Sequence, residues 1–259
     1  MKTSWIETLR STGRDVAQGL LQLVYPGACA LCRHPLLQQA DFCDACKAAL
    51  TTDPFSTCPR CAGTVGPFTS LEGGCNLCRP YPFQFERVIR LGPYDGLLRE
   101  VILRLKRASG EALAEKVGDL WAAHLEMTVR QSGIQVIVPV PLHWRRRWTR
   151  GYNQSGALAR ALAKRLGLPY HPAWLRRTWN TPPQVEQTPT ARRENVRGAF
   201  KARWRPDLKD QAVLLVDDVL TTGSTASEAA RALRKAGAGR VLVAVLARGQ
   251  GGGLPVRSG

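Results

Sequence analysis

The sequence predicts an α/β protein: a parallel sheet covered by helices on both faces, preceded by a small cysteine-rich domain of the zinc-ribbon kind. Three observations predict it. From Arg87 onward strand-like and helix-like segments alternate, and the central strands are apolar almost throughout, as strands buried on both faces must be. All eight cysteines lie between residues 29 and 78, each in a C-x-x-C pair. The stretch VLLVDDVLTTGST, residues 213–225, joins an apolar strand to a helix through two carboxylates and a run of hydroxyls around one glycine.

The cysteine pairs are CALC, CDAC, CPRC and CNLC, separated by ten, eleven and thirteen residues. Two thiolates three positions apart can bite one tetrahedral metal, and two such knuckles close a four-cysteine zinc site. Two structural zinc ions are therefore expected. Consecutive pairing groups Cys29, Cys32, Cys43 and Cys46, then Cys58, Cys61, Cys75 and Cys78; the similar gaps also permit an interleaved pairing. Disulfides suit a cytosolic chain poorly.

Ahead of the cysteines, residues 1–27 read as an amphipathic helix, with Trp5, Ile6, Leu9, Val16, Leu20, Leu23 and Val24 on one stripe and Pro26–Gly27 ending it. The double zinc ribbon is placed at 28–80, and PYPFQFE (80–86) reads as a stiff, proline-marked boundary. The α/β domain spans 87–248. Its strands are expected at RVIRLGPY, IQVIVPV, AVLLVDD and RVLVAVLA, and its helices near 96–107, 111–130, 153–166 and 224–236. An Arg-rich loop follows the second strand, and an irregular arm covers 176–200. Residues 249–259 read as a flexible tail. No apolar run approaches the roughly 18 residues of a membrane span, and the N-terminal stretch lacks a secretory core, so a cytoplasmic protein is expected.

The 259-residue chain has a formal net charge of +17. Residues 1–86 are balanced, and the whole excess lies in 87–259. Between His143 and Arg205 fifteen basic side chains face only Glu186 and Glu194. Most are arginine, which contacts phosphate bidentately. Trp144, Trp148, Tyr152, Trp174, Trp179 and Trp204 are interleaved with them, a composition that suits a polyanion or a single nucleic-acid strand. None of His34, His124, His143 and His171 has the spacing of a triad or metal site.

Ligands of open parallel sheets sit beyond the carboxyl ends of the strands. A glycine turn there, followed by a helix, presents backbone N–H groups at the positive end of the helix dipole. Thr221, Thr222, Ser224 and Thr225 add hydroxyls around Gly223, where a branched side chain is expected to fill the cradle. Asp217 and Asp218 are acceptors suited to a ligand with neighbouring hydroxyls. A phosphate joined to a vicinal diol is a ribose 5-phosphate. Strict alternation would send adjacent Asp side chains to opposite faces, so the chain is expected to leave the strand at Asp218.

The stretch VLLVDDVLTTGST resembles the phosphoribosyl pyrophosphate (PRPP) fingerprint of the type I phosphoribosyltransferases. With VPVPL, RRRWTRGYNQS, LRRTWNTPPQVEQTPTARRENVRGAF and the four cysteine knuckles, nearly the whole chain is similar to the ComF family. The resemblance implies that Asp217 and Asp218 hold the ribose hydroxyls and that Thr221, Thr222, Gly223, Ser224 and Thr225 hold the 5-phosphate. It places Pro139 and Pro141 in the pyrophosphate loop, followed by Arg150, Asn153 and Gln154. Arg177, Thr181, Gln184, Arg193 and Asn195 fall in the arm covering such sites. Transfer would displace pyrophosphate with Mg2+ shared between pyrophosphate and ribose. The pyrophosphate loop departs from the small-residue loops of nucleotide-forming transferases, being proline-rich and followed by Trp and Arg. The family implies a role in genetic competence, with incoming single-stranded DNA and the DNA-uptake machinery as partners. The alternative is a metabolic phosphoribosyltransferase acting on a small-molecule acceptor.

Overall fold

The computed structural model describes residues 27–36, 40–178, 196–202 and 208–249. The N-terminal helix, Thr181, Gln184, Arg193, Asn195, Trp179, Trp204 and residues 250–259 of the tail lie outside the described residues.

In chain order the elements begin with a small hairpin, β1 (Gly27–Ala28) and β2 (Pro35–Leu36), and helix α1 (Asp44–Thr51). Strand β3 (Val88–Pro93), helices α2 (Gly96–Leu105) and α3 (Glu111–Gln131), and strand β4 (Val136–Pro139) follow. Next come α4 (Trp144–Arg150) and α5 (Gln154–Leu166), then the short hairpin β5 (Leu175–Arg177) and β6 (Phe200–Ala202). The chain closes with β7 (Ala212–Leu220), α6 (Ser224–Lys235) and β8 (Arg240–Arg248).

The main sheet has the order β3-β8-β7-β4, and every neighbouring pair is parallel. The two central strands are buried along nearly their whole length, which explains their unbroken Val/Leu/Ala runs. Helices α2, α3 and α5 associate with one another and with the sheet, and α6 packs with β7, β8 and the β5–β6 hairpin. Helix α3 presents Ala114, Val117, Gly118, Trp121, Ala122, Leu125 and Val129 to the interior at three- and four-residue spacing. Its approach to α5 is tight: a Cβ on Gly118 would lie 2.7 Å from the Ala161 Cβ.

Two elements differ from the sequence reading. The Arg-rich stretch after β4 is helical at Trp144–Arg150, with the Arg147 N–H donating to the His143 carbonyl at 3.0 Å; arginine is a good helix former. Strand β7 does not end at Asp218. It keeps pairing through Val219↔Ala247 and Leu220↔Arg248, because β8 continues alongside and supplies partners.

The chain divides into two compact units by its contacts, 1–48 and 49–259. The second cysteine cluster belongs to the larger unit. The strap 81–86 is packed into it: Phe85 is buried in the sheet's core cluster, and the Glu86 N–H donates to the Val241 carbonyl at 2.8 Å. Arg90 of β3 makes a bidentate pair with Asp53 at 2.8 and 3.2 Å and donates to the Ala62 carbonyl and the Thr64 hydroxyl.

Candidate functional site

The cysteines gather into two four-sulfur clusters, Cys29/Cys32/Cys43/Cys46 and Cys58/Cys61/Cys75/Cys78. The pairing is thus consecutive, not interleaved. Measured Sγ–Sγ separations are 3.6 Å for Cys32–Cys43, 3.7 Å for Cys58–Cys78, 3.6 Å for Cys61–Cys75 and 3.8 Å for Cys75–Cys78. A tetrahedron with Zn–S bonds of about 2.3 Å has edges of about 3.8 Å. The donor sets fit zinc. Both ribbons use the same local turn: the residue after the first knuckle's second cysteine has positive φ, 63° at Arg33 and 52° at Ala62. Burial alone would raise the Cys29 thiol, but N–H groups around Cys32, Cys43 and Leu31 outweigh it and bring it down to about 6. In the same cluster burial first, and then the neighbouring Cys43, Cys32 and Cys29, push the Cys46 thiol the other way, up to about 12.

The second site candidate stands at the carboxyl end of β7. Asp217 lines a small polar recess of about 70 Å³ with Thr221, Thr222, Gly223, Ser224 and Thr225. At roughly 30 Å³ of liquid volume per water, that is the scale of one small anion. Gly223 has φ 80°, and α6 begins at Ser224 with no acidic residue in its first turn; the Ser224 N–H donates to the Thr222 hydroxyl at 3.4 Å. The positive end of the helix dipole favours an anion there. The Thr222 and Ser224 hydroxyls lie 2.8 Å apart and hydrogen-bond to one another.

Helix α5 brings the two carboxylates together with the loop after β4. The Ser155 hydroxyl donates to Asp217 at 2.8 Å, and the Gln154 amide reaches Asp218 at 3.4 Å. Lys106, just past α2, pairs with Asp218 at 3.3 Å. Burial first, and the Asp218 charge second, push the Asp217 carboxyl up to about 8. Arg150 donates to the Gln154 carbonyl oxygen at 2.7 Å, which aims that amide at Asp218. Asn153 donates to the Val140 carbonyl at 3.1 Å and tethers the Pro139–Pro141 loop to the start of α5. Its own Oδ1 is buried and has no partner among the described residues. Arg177 is on β5, with its guanidinium over the Phe200 ring.

Beside the Pro141 loop lies a groove of about 740 Å³ whose lining includes Trp144, Arg147, Arg160, Tyr170, Arg176 and Arg177. Trp144 and Trp148 are 58% and 86% exposed. Tyr152 and Trp174 are core residues instead, with the Tyr152 hydroxyl donating to the Leu105 carbonyl and Trp174 stacked on His171 at 4.0 Å. Their place in the Arg-rich stretch gave no sign of this, because both are held by partners distant in sequence or by the sheet.

Sequence comparison gives two family matches, a phosphoribosyl transferase domain over residues 153–259 and a double zinc ribbon domain over residues 20–79. The DNA utilization protein YhgH of Salmonella typhimurium is 35% identical over 230 residues, covering 87% of this chain and 99% of that protein. The chain belongs to the ComF family. Competence protein F of Haemophilus influenzae, another relative of this ComF protein, is 29% identical over 85% of the chain and 96% of its own length. Among solved structures, the glutamine PRPP amidotransferase from B. subtilis aligns at 21% identity with a TM-score of 0.37, over 56% of this chain and 30% of that one. The fold assignment of the ComF chain rests on its own parallel sheet and the two family matches. No helix among the described residues is long and apolar enough to cross a membrane.

Sequence reasoning missed Lys106, Ser155, Phe83 and Arg248. Ser155 adjoins Gln154 at the start of a helix and was within reach of a motif reading. Lys106 and Phe83 carry no signal, since each meets the site only through the fold. Gly223 is also constrained by a neighbour the sequence did not reveal: its Cβ would meet the Phe83 ring, 2.9 Å from Cε1. Gly223→Val is therefore strained twice, by positive φ and by Phe83. We expect it to abolish phosphate binding in a calorimetric titration, and added inorganic phosphate should not restore the turn.

Proposed function

We propose that this ComF-family chain binds PRPP or a related ribose 5-phosphate ligand at the β7–α6 turn and handles incoming single-stranded DNA in the cytoplasm during DNA uptake. The observation that carries the reading is the union of a glycine turn at a helix N-terminus with two carboxylates in the last residues of the preceding strand, Asp217 lining the same recess as the turn. In this reading the turn from Thr221 to Thr225 holds the 5-phosphate, and Asp217 and Asp218 accept hydrogen bonds from the ribose hydroxyls. Ser155, Gln154 and Lys106 hold the carboxylates in place. On the same reading the Pro139–Pro141 loop and Asn153 would receive the pyrophosphate, and Mg2+, if held beside Asp217 and Asp218, would supply charge neutralisation. Were transfer to occur, fixed groups and not a covalent nucleophile would stabilise the charge developing on the ring.

The groove beside that loop supplies the strand-handling half of the proposal. Arg147, Arg160, Arg176 and Arg177 offer phosphate contacts, and Trp144 offers a face for stacking. A calorimetric titration with PRPP and Mg2+, run beside one with a single-stranded oligonucleotide, tests both halves. The logarithm of oligonucleotide affinity is expected to fall with the logarithm of salt at roughly −0.7 per neutralised phosphate. Replacing Arg145, Arg146 and Arg147 by alanine should flatten the slope. Binding that ignores salt, or no binding at low salt, would return the basic stretch to a solvated surface.

A further inference from the structure

Strand β8 carries eight consecutive buried positions and ends them on a charge, Arg248, which is 3% exposed. Its guanidinium is surrounded by backbone carbonyls. Nε donates to Cys61 at 3.1 Å, and Nη1 donates to Leu220 at 3.2 Å and to Thr221 and Gly249. Among the described residues no carboxylate pairs with it. A cation buried this deeply is costly unless a counter-charge lies close. Cys61 is one of the four thiolates of the second cluster, and a zinc ion held by four thiolates has a net charge of two minus.

The same guanidinium therefore grips a zinc knuckle on one side and the last carbonyls of β7 on the other, at the residues where the phosphate turn begins. Two further contacts follow the same route. Phe83 packs against the second cluster and lies against Gly223, with the Arg60 guanidinium 5.4 Å over its ring. Arg60 itself donates to the Cys78 and Tyr81 carbonyls at 3.1 and 2.8 Å. The Gln84 N–H donates to the Ser227 hydroxyl in the first turn of α6 at 3.1 Å.

We propose that Arg248 is a positioning residue for the phosphate turn, and that through it the second zinc ribbon, but not the first, holds the turn in its anion-binding shape. The claim rests on the proposed ribose-phosphate site for its consequence, while its physical core, a turn ordered by Arg248, stands apart from any ligand. Loss of a merely structural arginine would lower stability throughout the unit. Loss of a positioning arginine loosens the turn while β7 and α3 stay protected.

The test uses the full chain and two readouts: amide hydrogen exchange, and calorimetry with inorganic phosphate and with PRPP. In Arg248→Met, with both zinc ions retained by elemental analysis, the Thr222–Ala226 amides should exchange about tenfold faster or more, and affinity for both anions should fall by a similar factor. Arg248→Lys, which keeps the charge but loses the fork of donors, should fall between and guards against a Met variant that fails to fold. Below the melting temperature of both, Cys61→Ser should lose one zinc and reproduce the loosened turn, whereas Cys43→Ser should lose one zinc and leave the turn as in the wild type. Unchanged turn amides in both Arg248 variants, or equal loosening by Cys43→Ser and Cys61→Ser, overturns the proposal. If wild type binds neither anion but Arg248→Met still loosens the turn, the positioning role stands and the ribose-phosphate reading falls.

Discussion

At pH 9, above the Asp217 transition, replacing Asp217 and Asp218 together by Asn is expected to weaken PRPP binding by about 1.5–3 kcal/mol for each charged hydrogen bond lost, roughly ten- to a hundredfold per bond. The substitution keeps size and shape but turns acceptor-only groups into amides. Melting temperature should change little. Lys106 loses an ion pair in which the Asp218 side chain is only 10% exposed, but the Asn carbonyl oxygens can still accept from the Ser155 hydroxyl and the backbone N–H groups, and the repulsion between neighbouring carboxylates disappears. If the double variant binds PRPP like wild type and melts several degrees lower, the pair is structural and the ribose-phosphate reading falls.

The same pair sets a pH dependence. The Asp217 carboxyl is held up to about 8 in the folded chain by burial and then by Asp218, against about 3.9 when unfolded. The folded state therefore binds the extra proton between these values. Its contribution to stability is complete below about 4 and is lost as pH rises through about 8. A ligand that needs ionised acceptors should gain affinity over that upper range. Above pH 7 a phosphate ester is largely ionised, its second pKa being about 6, so a rise in PRPP affinity from pH 7 to 9 belongs to the carboxylates. In Asp217→Asn the affinity profile should be flat, and so should the melting profile.

Zinc removal is the second large effect. Elemental analysis is expected to give two zinc per chain. Structural zinc sites bind with apparent free energies of about 10–16 kcal/mol in small domains, as large as the whole stability of a typical domain, about 5–15 kcal/mol. The second cluster's cysteines are all at most 2% exposed and pack with Val65, Leu77 and Phe83. Cys78→Ser should therefore lower the melting temperature of the larger unit far more than Cys43→Ser does. The Cys43 variant should lose one zinc, unfold its surroundings and leave PRPP binding measurable. A fully oxidised, metal-free and folded protein would sink the zinc reading.

Both large effects fall on residues that the sequence already marked. Spacing alone identified eight thiolates as metal ligands, because a C-x-x-C bite is a local property of four residues. The turn at Thr221–Thr225 and the parallel sheet were legible for the same reason: Gly223 and the apolar runs of β7 and β8 describe their own geometry within a few positions. The sequence by itself thus determined the fold class, the eight cysteines of the two four-cysteine sets and the place of the glycine turn between β7 and α6.

Only the tertiary structure decided how these parts serve one another. The pairing of the knuckles depended on which sulfurs gather within 4.8 Å of one another, which similar gaps leave open. The partners of the carboxylates, Lys106 and Ser155, come from two helices that the parallel crossovers carry to the same strand end. Arg248 and Phe83 look like a charged strand terminus and a linker aromatic until β8 lies beside β7 and the strap folds under α6. Trp174 and Tyr152 sat among exposed arginines in the sequence yet are buried in the core. The physical reason is common to all of them. Local backbone chemistry is written in neighbouring residues, whereas burial and charge pairing are set by residues brought together from tens to nearly two hundred positions away.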